Sequence, residues 1–171
     1  DKASYVLDQN KDLLPEKWDE TKRNIVYYTS SMDEYFAIGG EYDKTTYKDQ
    51  NESLYKITKS LKKINDKNIY LWIRVHPNVS DVFWKYNRKI YKLHDPKNRI
   101  FVIKPKSKIS SYKMLLNCEK IINYASRTGI EAVYWNKPSI RLGRSTFEKL
   151  NCVYLPKSHK ETMKLVINKN L

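Results

Sequence analysis

The sequence predicts an α/β fold in which a parallel sheet of about six strands carries helices on both faces. Apolar runs rich in β-branched and aromatic residues alternate along the 171-residue chain with segments of helical periodicity. Several of these runs are nearly continuous, as strands buried on both faces of a parallel sheet should be. The two patterns together indicate a Rossmann-like domain whose ligands bind beyond the carboxyl ends of the strands.

The predicted strands are short apolar runs, each followed by a turn or a helical segment. They are expected at residues 24–31, 69–75, 99–103, 120–124, 138–142 and 152–155. Amphipathic helices are expected at 51–66, after Ser80, from Ser110 or Ser111, after Ser126 and from Ser158. The loop at 32–50 contains Gly39 and Gly40 and is long for a strand-to-helix connection, which is typical of functional loops.

The domain organisation follows from the chain length and from the composition of the amino-terminal residues. Residues 1–24 are polar and basic and are interpreted as a helix or linker, and residues 25–171 form the predicted domain. A chain of this length supports one domain with its own core. It begins with Asp1 and without a signal-peptide pattern, so we expect a piece of a longer protein with a further amino-terminal domain. No apolar run approaches the roughly 18 to 20 residues that span a bilayer.

The charge balance favours anionic partners. Lys and Arg outnumber Asp and Glu by 33 to 19, which gives a formal net charge of +14. Nucleic acid, anionic lipid surfaces and phosphorylated or acidic substrates all fit this balance, while an AT-rich genome explains the Lys, Asn, Ile and Tyr excess equally well. The three His and two Cys residues show no metal-ligand spacing, so no metal is predicted. Two thiols outside any disulfide framework fit the reducing cytoplasm.

Polar residues follow the first two predicted strands. Ser30 lies in a Thr-Ser-Ser run at 29–31, and the second strand ends in Arg74, with His76 and Pro77 directly after it. Proline has no N–H for strand pairing, which places His76 at the mouth of the strand. Guanidinium can bind a phosphate with two hydrogen bonds, and imidazole can donate to a phosphate or sugar oxygen. These residues therefore predict a site for a nucleotide diphosphate or a monophosphate ester. The alternative for His76 is a loop histidine whose hydrogen bonds are satisfied within the protein.

The segment after the fourth predicted strand is the strongest single candidate for ligand binding. Ser126 and Thr128 offer hydroxyl groups at a helix start, Gly129 allows another backbone to come close, and Glu131 can accept hydrogen bonds from a ribose. A plain helix start explains the same residues, with Thr128 as the N-cap and Glu131 completing a capping box. Lys106, Arg127 and Arg144 are further candidate cations, each read first as a solvated surface residue.

Residues 24–155 resemble the carboxyl-terminal, nucleotide-sugar-binding half of a GT-B-fold glycosyltransferase, and most closely the bacterial capsule polysaccharide biosynthesis proteins. The resemblance rests on five short motifs in a fixed order. They are Thr29 to Tyr35 with Gln50, Arg74 to Pro77, Ser110 to Tyr112 with Leu115, Ser126 to Ala132, and Lys137 to Ile140.

The resemblance implies a donor site for a CMP-, CDP- or UDP-linked sugar, with no cofactor besides this substrate. It also implies a glycan or glycolipid acceptor, held by an amino-terminal half that this chain lacks. We therefore expect nucleotide binding without turnover, and no catalytic residue is named. The implied contacts are phosphate for His76, Pro77 and 126–129, ribose for Glu131, and base or sugar for Ser110, Ser111 and Tyr112.

Three other functions compete with sugar transfer. A nucleic-acid-binding module would use the positive charge and the 14 Tyr residues, but the Tyr residues fall in core-like segments and no nucleic-acid-binding motif is present. One half of a nucleotide-sugar epimerase has the same fold and a similar helix start with a glutamate. Polyol-phosphate transferases have a similar Arg-x-His-Pro motif and a serine-rich helix start. Within the glycosyltransferase reading, the basic surface predicts docking on the anionic inner face of the membrane, hence a cytoplasmic or membrane-peripheral protein without a specific nucleic acid partner.

Overall fold

The structure is a computed structural model that describes residues 9–31, 45–64, 66–77 and 84–171. The predictions for Gly39, Gly40 and Ser80 lie outside the described residues. Among the described residues, no helix combines the length and the apolar composition that crossing a bilayer requires.

The fold is an all-parallel five-stranded sheet with helices on both faces, which confirms the predicted class. Its strand order is β3-β2-β1-β4-β5. The strands are β1 Arg23–Tyr28, β2 Ile69–Arg74, β3 Ile100–Ile103, β4 Lys120–Asn123 and β5 Ser139–Arg141. The α-helices of the described residues are α1 Gln50–Lys63, α2 Trp84–Tyr91, α3 Ser111–Asn117, α4 Thr128–Tyr134 and α5 His159–Ile167. Short 3-10 helices lie at Pro96–Asn98 and Glu148–Leu150.

The strand order contains one reversal. The chain moves outward from β1 to β2 and β3, and then returns to place β4 on the other side of β1. At such a reversal the connections leave the sheet towards opposite faces, so a crevice opens between the carboxyl ends of β1 and β4.

Two hydrophobic cores, one on each face, hold the helices against the sheet. The periodic residues Leu54, Ile57 and Leu61 of α1 are buried in the larger core, together with side chains of α2 and α5. The smaller core contains Met114 and Leu115 of α3 and an alanine of α4. Because the strands bury side chains on both faces, their apolar runs are nearly continuous, as the sequence predicted.

The described part of the lead-in, residues 9–22, consists of turns packed against the smaller core. Trp18 stacks on Trp72 of β2 with ring centroids 5.3 Å apart. The Asn10 N–H donates to the Lys108 carbonyl at 2.8 Å, and the Leu13 carbonyl accepts from the Ser110 N–H at 2.9 Å. The segment is thus attached to the loop that precedes α3.

The predicted sixth strand at 152–155 is wrong as a strand. Only Tyr154 pairs with the sheet, through an isolated parallel bridge to Ile140 of β5. Its N–H donates to the Ser139 carbonyl and its carbonyl accepts from the Arg141 N–H, both at 2.9 Å. Pairing stops because β5 has three residues and because Pro156 offers no N–H.

Candidate functional site

The loops after β1 and β4 are joined by hydrogen bonds at the point where the strand order reverses. Ser30 is 7% exposed, and its Oγ accepts the N–H of Ala125 at 2.9 Å. The Ser30 N–H donates to Oε1 of Gln50, the first residue of α1, at 2.6 Å. The predicted site residue Ser30 therefore lies next to the segment that leads into α4.

The end of β2 is joined to the loop after β1 by hydrogen bonds with Thr29. The Thr29 Oγ1 accepts the backbone N–H of His76 at 2.8 Å, and the Thr29 N–H donates to the Arg74 carbonyl at 3.1 Å. His76 and Pro77 are both half-buried. The structure therefore brings the His-Pro pair beside the Thr-Ser-Ser run, as the convergence of strand ends predicted.

Arg74 is a buried cation whose hydrogen-bond partners are neutral. Its side chain donates to Ser111 Oγ at 3.1 Å, to the Lys104 carbonyl at 2.6 Å and to the Ser107 carbonyl at 3.4 Å. The residue is 2% exposed, and burial lowers the pKa of the guanidinium to about 10, so it remains charged at neutral pH. No carboxylate of the described residues forms an ion pair with it.

Ser111, the first residue of α3, is held by three groups. Its N–H donates to Gln9 Oε1 at 2.7 Å, its carbonyl accepts from the Tyr28 hydroxyl at 2.6 Å, and its Oγ accepts from Arg74. A hydroxyl that accepts a hydrogen bond still has its own proton to donate. Ser110 is the N-cap of α3, and its Oγ accepts the Lys113 N–H at 3.1 Å.

Tyr112 and Glu131 form a hydrogen bond that links α3 to α4. The Tyr112 hydroxyl donates to Glu131 Oε2 at 3.3 Å. Burial and the negative charge of Glu131 raise the pKa of Tyr112, so the phenol stays protonated and keeps this bond. Two predicted site residues, 19 positions apart in the sequence, therefore meet at the crevice.

The start of α4 differs from the plain helix start that was the alternative prediction. Thr128 is the first helical residue, and Arg127 occupies the N-cap position without a side-chain cap bond. Ser126 Oγ lies 2.9 Å from Thr128 Oγ1, so the two hydroxyl groups share a hydrogen bond. The capping-box reading is wrong, because the Glu131 carboxylate turns to Tyr112 and not back to the helix start.

Gly129 is required by a side chain, which corrects the prediction that another backbone approaches it. A Cβ atom at this position would lie 2.7 Å from Asn123 Nδ2 and 3.0 Å from Asn123 Cγ. Asn123 is fully buried at the end of β4, where its amide donates to Ser139 Oγ at 3.2 Å and would have to shift to admit a Cβ. The glycine is therefore explained by packing within the domain.

Three polar residues at the crevice were not singled out from the sequence. Asn123 and Arg141 end β4 and β5, and Tyr28 ends β1. Arg141 is 3% exposed, donates to Ser145 Oγ and lies 5.6 Å from the centre of the Phe147 ring. In the sequence, each of these residues ends an apolar strand, as Arg74 does. That position alone would have identified them as candidates.

Comparison with known proteins identifies the family and the fold. Residues 5–150 match the family described as "Capsule polysaccharide biosynthesis protein", which confirms the resemblance found in the sequence. Among curated proteins, none matches the chain.

Solved structures with the same fold include two transferases from Thermosulfurimonas dismutans. KpsC, beta Kdo 2,7 transferase, has a TM-score of 0.53 and 19% identity over 82% of this chain and 40% of its own. KpsC, beta Kdo 2,4 transferase, has a TM-score of 0.50 and 14% identity over 88% of this chain and 42% of its own. The co-structure of S. aureus MnaA with UDP has a TM-score of 0.45, 16% identity, and coverages of 71% and 28%. This chain therefore spans less than half the length of these structures.

Proposed function

The chain belongs to the family of capsule polysaccharide biosynthesis proteins, and we propose that it is the donor-binding domain of a glycosyltransferase. The donor is a CMP-, CDP- or UDP-linked sugar, and its nucleotide lies in the crevice between the carboxyl ends of β1 and β4. The acceptor, a glycan or a glycolipid, is held by the part of the enzyme that this chain does not include.

The buried charge of Arg74 is the observation that carries the proposal. A buried cation is costly unless an anion compensates it, and the partners of Arg74 are three neutral oxygens. Nucleotide phosphates bring the missing negative charge to the end of β2. In a site that excludes water, this attraction is stronger than it is at an exposed surface.

Two hydroxyl groups can donate hydrogen bonds to the phosphate, and one of them connects it to Arg74. Ser111 Oγ accepts from Arg74, and Ser30 Oγ accepts from the Ala125 N–H. Because each oxygen already accepts a hydrogen bond, its proton is available to a phosphate oxygen. His76, at the same strand ends, donates from its imidazole to the phosphate or the sugar.

Glu131 supplies the group that recognises the ribose. Tyr112 holds Glu131 Oε2, which leaves Oε1 to accept from a ribose hydroxyl. The first three amides of α4 donate within the domain, to Ser126 and Arg127, so the positive charge at the leaving group comes from side chains. With these cations and hydroxyl groups stabilising the leaving group, the proposed chemistry needs no metal at the diphosphate.

The proposal is tested by calorimetric titration of the chain with CMP, CDP, UDP, GDP and ADP. We expect saturable binding of one cytidine or uridine nucleotide. Loss of one charge-assisted hydrogen bond costs about 1.5 to 3 kcal/mol, so Glu131→Gln and His76→Ala should each weaken binding by about tenfold or more.

A matched control is available on the far side of the domain. Glu161 of α5 is exposed, and Glu161→Gln makes the same chemical change away from the crevice. Wild-type affinity in both the Glu131 and the His76 variant would refute the site. Equal losses in the Glu131 and Glu161 variants would show that net charge, and not a built site, governs binding.

A further inference from the structure

The positive charge of the molecule is concentrated on one of its two helical layers. The segments 48–63 and 157–169, which contain α1 and α5, carry nine lysines, three acidic residues and no arginine. All nine lysines are exposed: Lys48, Lys56, Lys59, Lys62, Lys63, Lys157, Lys160, Lys164 and Lys169. Within the helices alone, α1 and α5 carry six lysines and two glutamates, whereas α3 and α4 on the opposite face carry one lysine and one glutamate. The neighbouring helix α2, in the same layer as α1, adds exposed Arg88 and Lys89.

The two basic helices lie side by side and form one surface. His159 joins them, because its Nε2 lies 2.9 Å from Ser60 Oγ of α1 and its Nδ1 lies 2.8 Å from the Tyr47 hydroxyl. The buried positions of α1 and α5 face the sheet, so Lys59, Lys63 and Lys160 lie on the outer side. We call this outer side the lysine face and define it by the nine lysines named above.

Most of this charge has no counter-charge within the described residues. Lys56 pairs with Glu52 at 2.7 Å and Lys62 pairs with Asp95 at 2.6 Å. Lys59 lies 5.7 Å from the centre of the Tyr55 ring, and that tyrosine is 56% exposed. The lysine face therefore combines several uncompensated ammonium groups with an exposed amphipathic aromatic side chain.

The chemistry of the lysine face fits the headgroup region of an anionic bilayer. Arginine is preferred where carboxylate or phosphate is recognised in a fixed geometry, whereas lysine acts as a hydrated point charge on a flexible stem. Nine lysines on α1, α5 and their flanks, against one arginine on the neighbouring α2, therefore indicate attraction to a diffuse negative surface. Long lysine stems and tyrosine rings also suit the boundary between headgroups and acyl chains.

We propose that the lysine face docks the protein on a membrane surface rich in anionic lipids. The sheet then lies parallel to the bilayer, with α3 and α4 on the side away from it. The crevice at the carboxyl ends of the strands opens sideways along the membrane, where it can meet an acceptor held at the same surface. The docking itself rests on the lysine face alone and does not depend on the nucleotide site.

The test is sedimentation of the protein with vesicles of phosphatidylcholine and phosphatidylglycerol in a two-to-one ratio, compared with vesicles of phosphatidylcholine alone. One triple variant removes three of the nine charges of the lysine face, through Lys59→Gln, Lys63→Gln and Lys160→Gln. The matched control removes the same charge near the start of α3, through Lys11→Gln, Lys108→Gln and Lys113→Gln. Circular dichroism and thermal unfolding check that both variants are folded.

Each lysine at an anionic membrane surface changes the binding constant by about fivefold, so the lysine-face variant should bind about a hundredfold more weakly. The control variant should stay within about threefold of the wild type, since its lysines lie beyond the Debye length of the docked surface. Equal losses in both variants, or binding to phosphatidylcholine alone, would overturn the proposal. Full displacement from the vesicles by duplex DNA at equal phosphate concentration would also overturn it, in favour of a general polyanion site.

Discussion

The sheet has an amino edge, where its strands begin, and a carboxyl edge, where they end. Arg23 at the first is half-buried and Arg74 at the second is buried, and the two arginines have opposite surroundings. At the amino edge, Arg23 of β1 donates to Glu119 at 2.7 and 2.8 Å and to Asp66 at 3.4 Å. At the carboxyl edge, Arg74 donates to a hydroxyl and two carbonyl oxygens. The first charge is compensated by two carboxylates, whereas no carboxylate of the described residues forms an ion pair with the second.

The amino edge also closes the end of the last helix. Lys120 is 1% exposed and donates to the Leu165 carbonyl at 3.1 Å and to the Asn168 carbonyl. Arg23 adds a bond to the Ile167 carbonyl at 2.9 Å. Cations at the carboxyl end of a helix satisfy its free carbonyls and its dipole. The contrast indicates that ion pairs at the amino edge serve stability, and it supports the proposal that the charge at the carboxyl edge attracts a ligand.

The largest effect is expected from Arg23→Met. Removing this guanidinium leaves Glu119 beside buried Lys120 alone and frees a carbonyl of α5. The Arg23–Glu119 pair is half-buried, so its loss together with the freed carbonyl should cost about 3 kcal/mol of unfolding free energy, at the low end for buried pairs. Urea denaturation measures this loss. Nucleotide affinity of the folded fraction should not change. A stable Arg23 variant would remove the distinction between the two edges.

The same substitution at the other edge, Arg74→Met, should have the reverse effect. Nucleotide binding should weaken by about 1.5 to 3 kcal/mol, because the phosphate loses the charge that attracts it. Unfolding free energy should fall by only about 1 kcal/mol, since the freed carbonyls of Lys104 and Ser107 lie near the surface and can bind water. If calorimetry finds full affinity in this variant, the uncompensated charge has no role in binding.

A smaller effect is expected from Gly129→Ala. This variant tests whether Gly129, at the carboxyl edge, is needed for packing or for contact with the ligand. The new Cβ would lie 2.7 Å from Asn123 Nδ2, and overpacking of this kind costs about 1.5 kcal/mol. Thermal unfolding without nucleotide should show the loss. An unchanged melting temperature together with weaker nucleotide binding would mean that the glycine serves the ligand instead.

The smallest effect concerns the acid dependence of the amino edge. Burial alone would raise the pKa of Glu119, but hydrogen bonds from Arg23 and Lys120 outweigh it and hold the pKa below its usual value of 4.5. A depressed carboxyl pKa stabilises the fold above the unfolded value, and this stabilisation is lost as the pH falls through the folded value. Glu119→Gln should therefore flatten the fall in unfolding free energy below about pH 4.5. Parallel pH curves for the two proteins would contradict this.

The sequence predicted the elements well because burial leaves a periodic signal. Each of the five observed strands begins and ends within three residues of its predicted bounds, and α1, α3 and α5 begin at or beside their predicted first residues. The segment 152–155 shows that apolar composition alone does not make a strand. Its apolar composition matches a strand, but strand formation depends on a partner long enough to pair with, and β5 has three residues.

The sequence named the residues of the candidate site, but it did not predict their hydrogen-bond partners. Strand ends in a parallel sheet meet at one edge, so the sequence could place the segments after β1, β2 and β4 near one another. The partner of each group depends on side-chain geometry across helices. The Tyr112–Glu131 bond and the Asn123–Gly129 contact therefore could not be read from spacing.

By itself, the sequence determined the α/β class, the family and the positions at which polar residues interrupt buried strands. These features are local, because they follow from hydrophobic periodicity and from short motifs. Only the tertiary structure decided which of the two arginines pairs with carboxylates, since Arg23 and Arg74 look alike in the sequence. Charge compensation depends on whether a carboxylate lies within a few ångströms, and residues 23 and 119 come together only when β1 and β4 pair in the sheet.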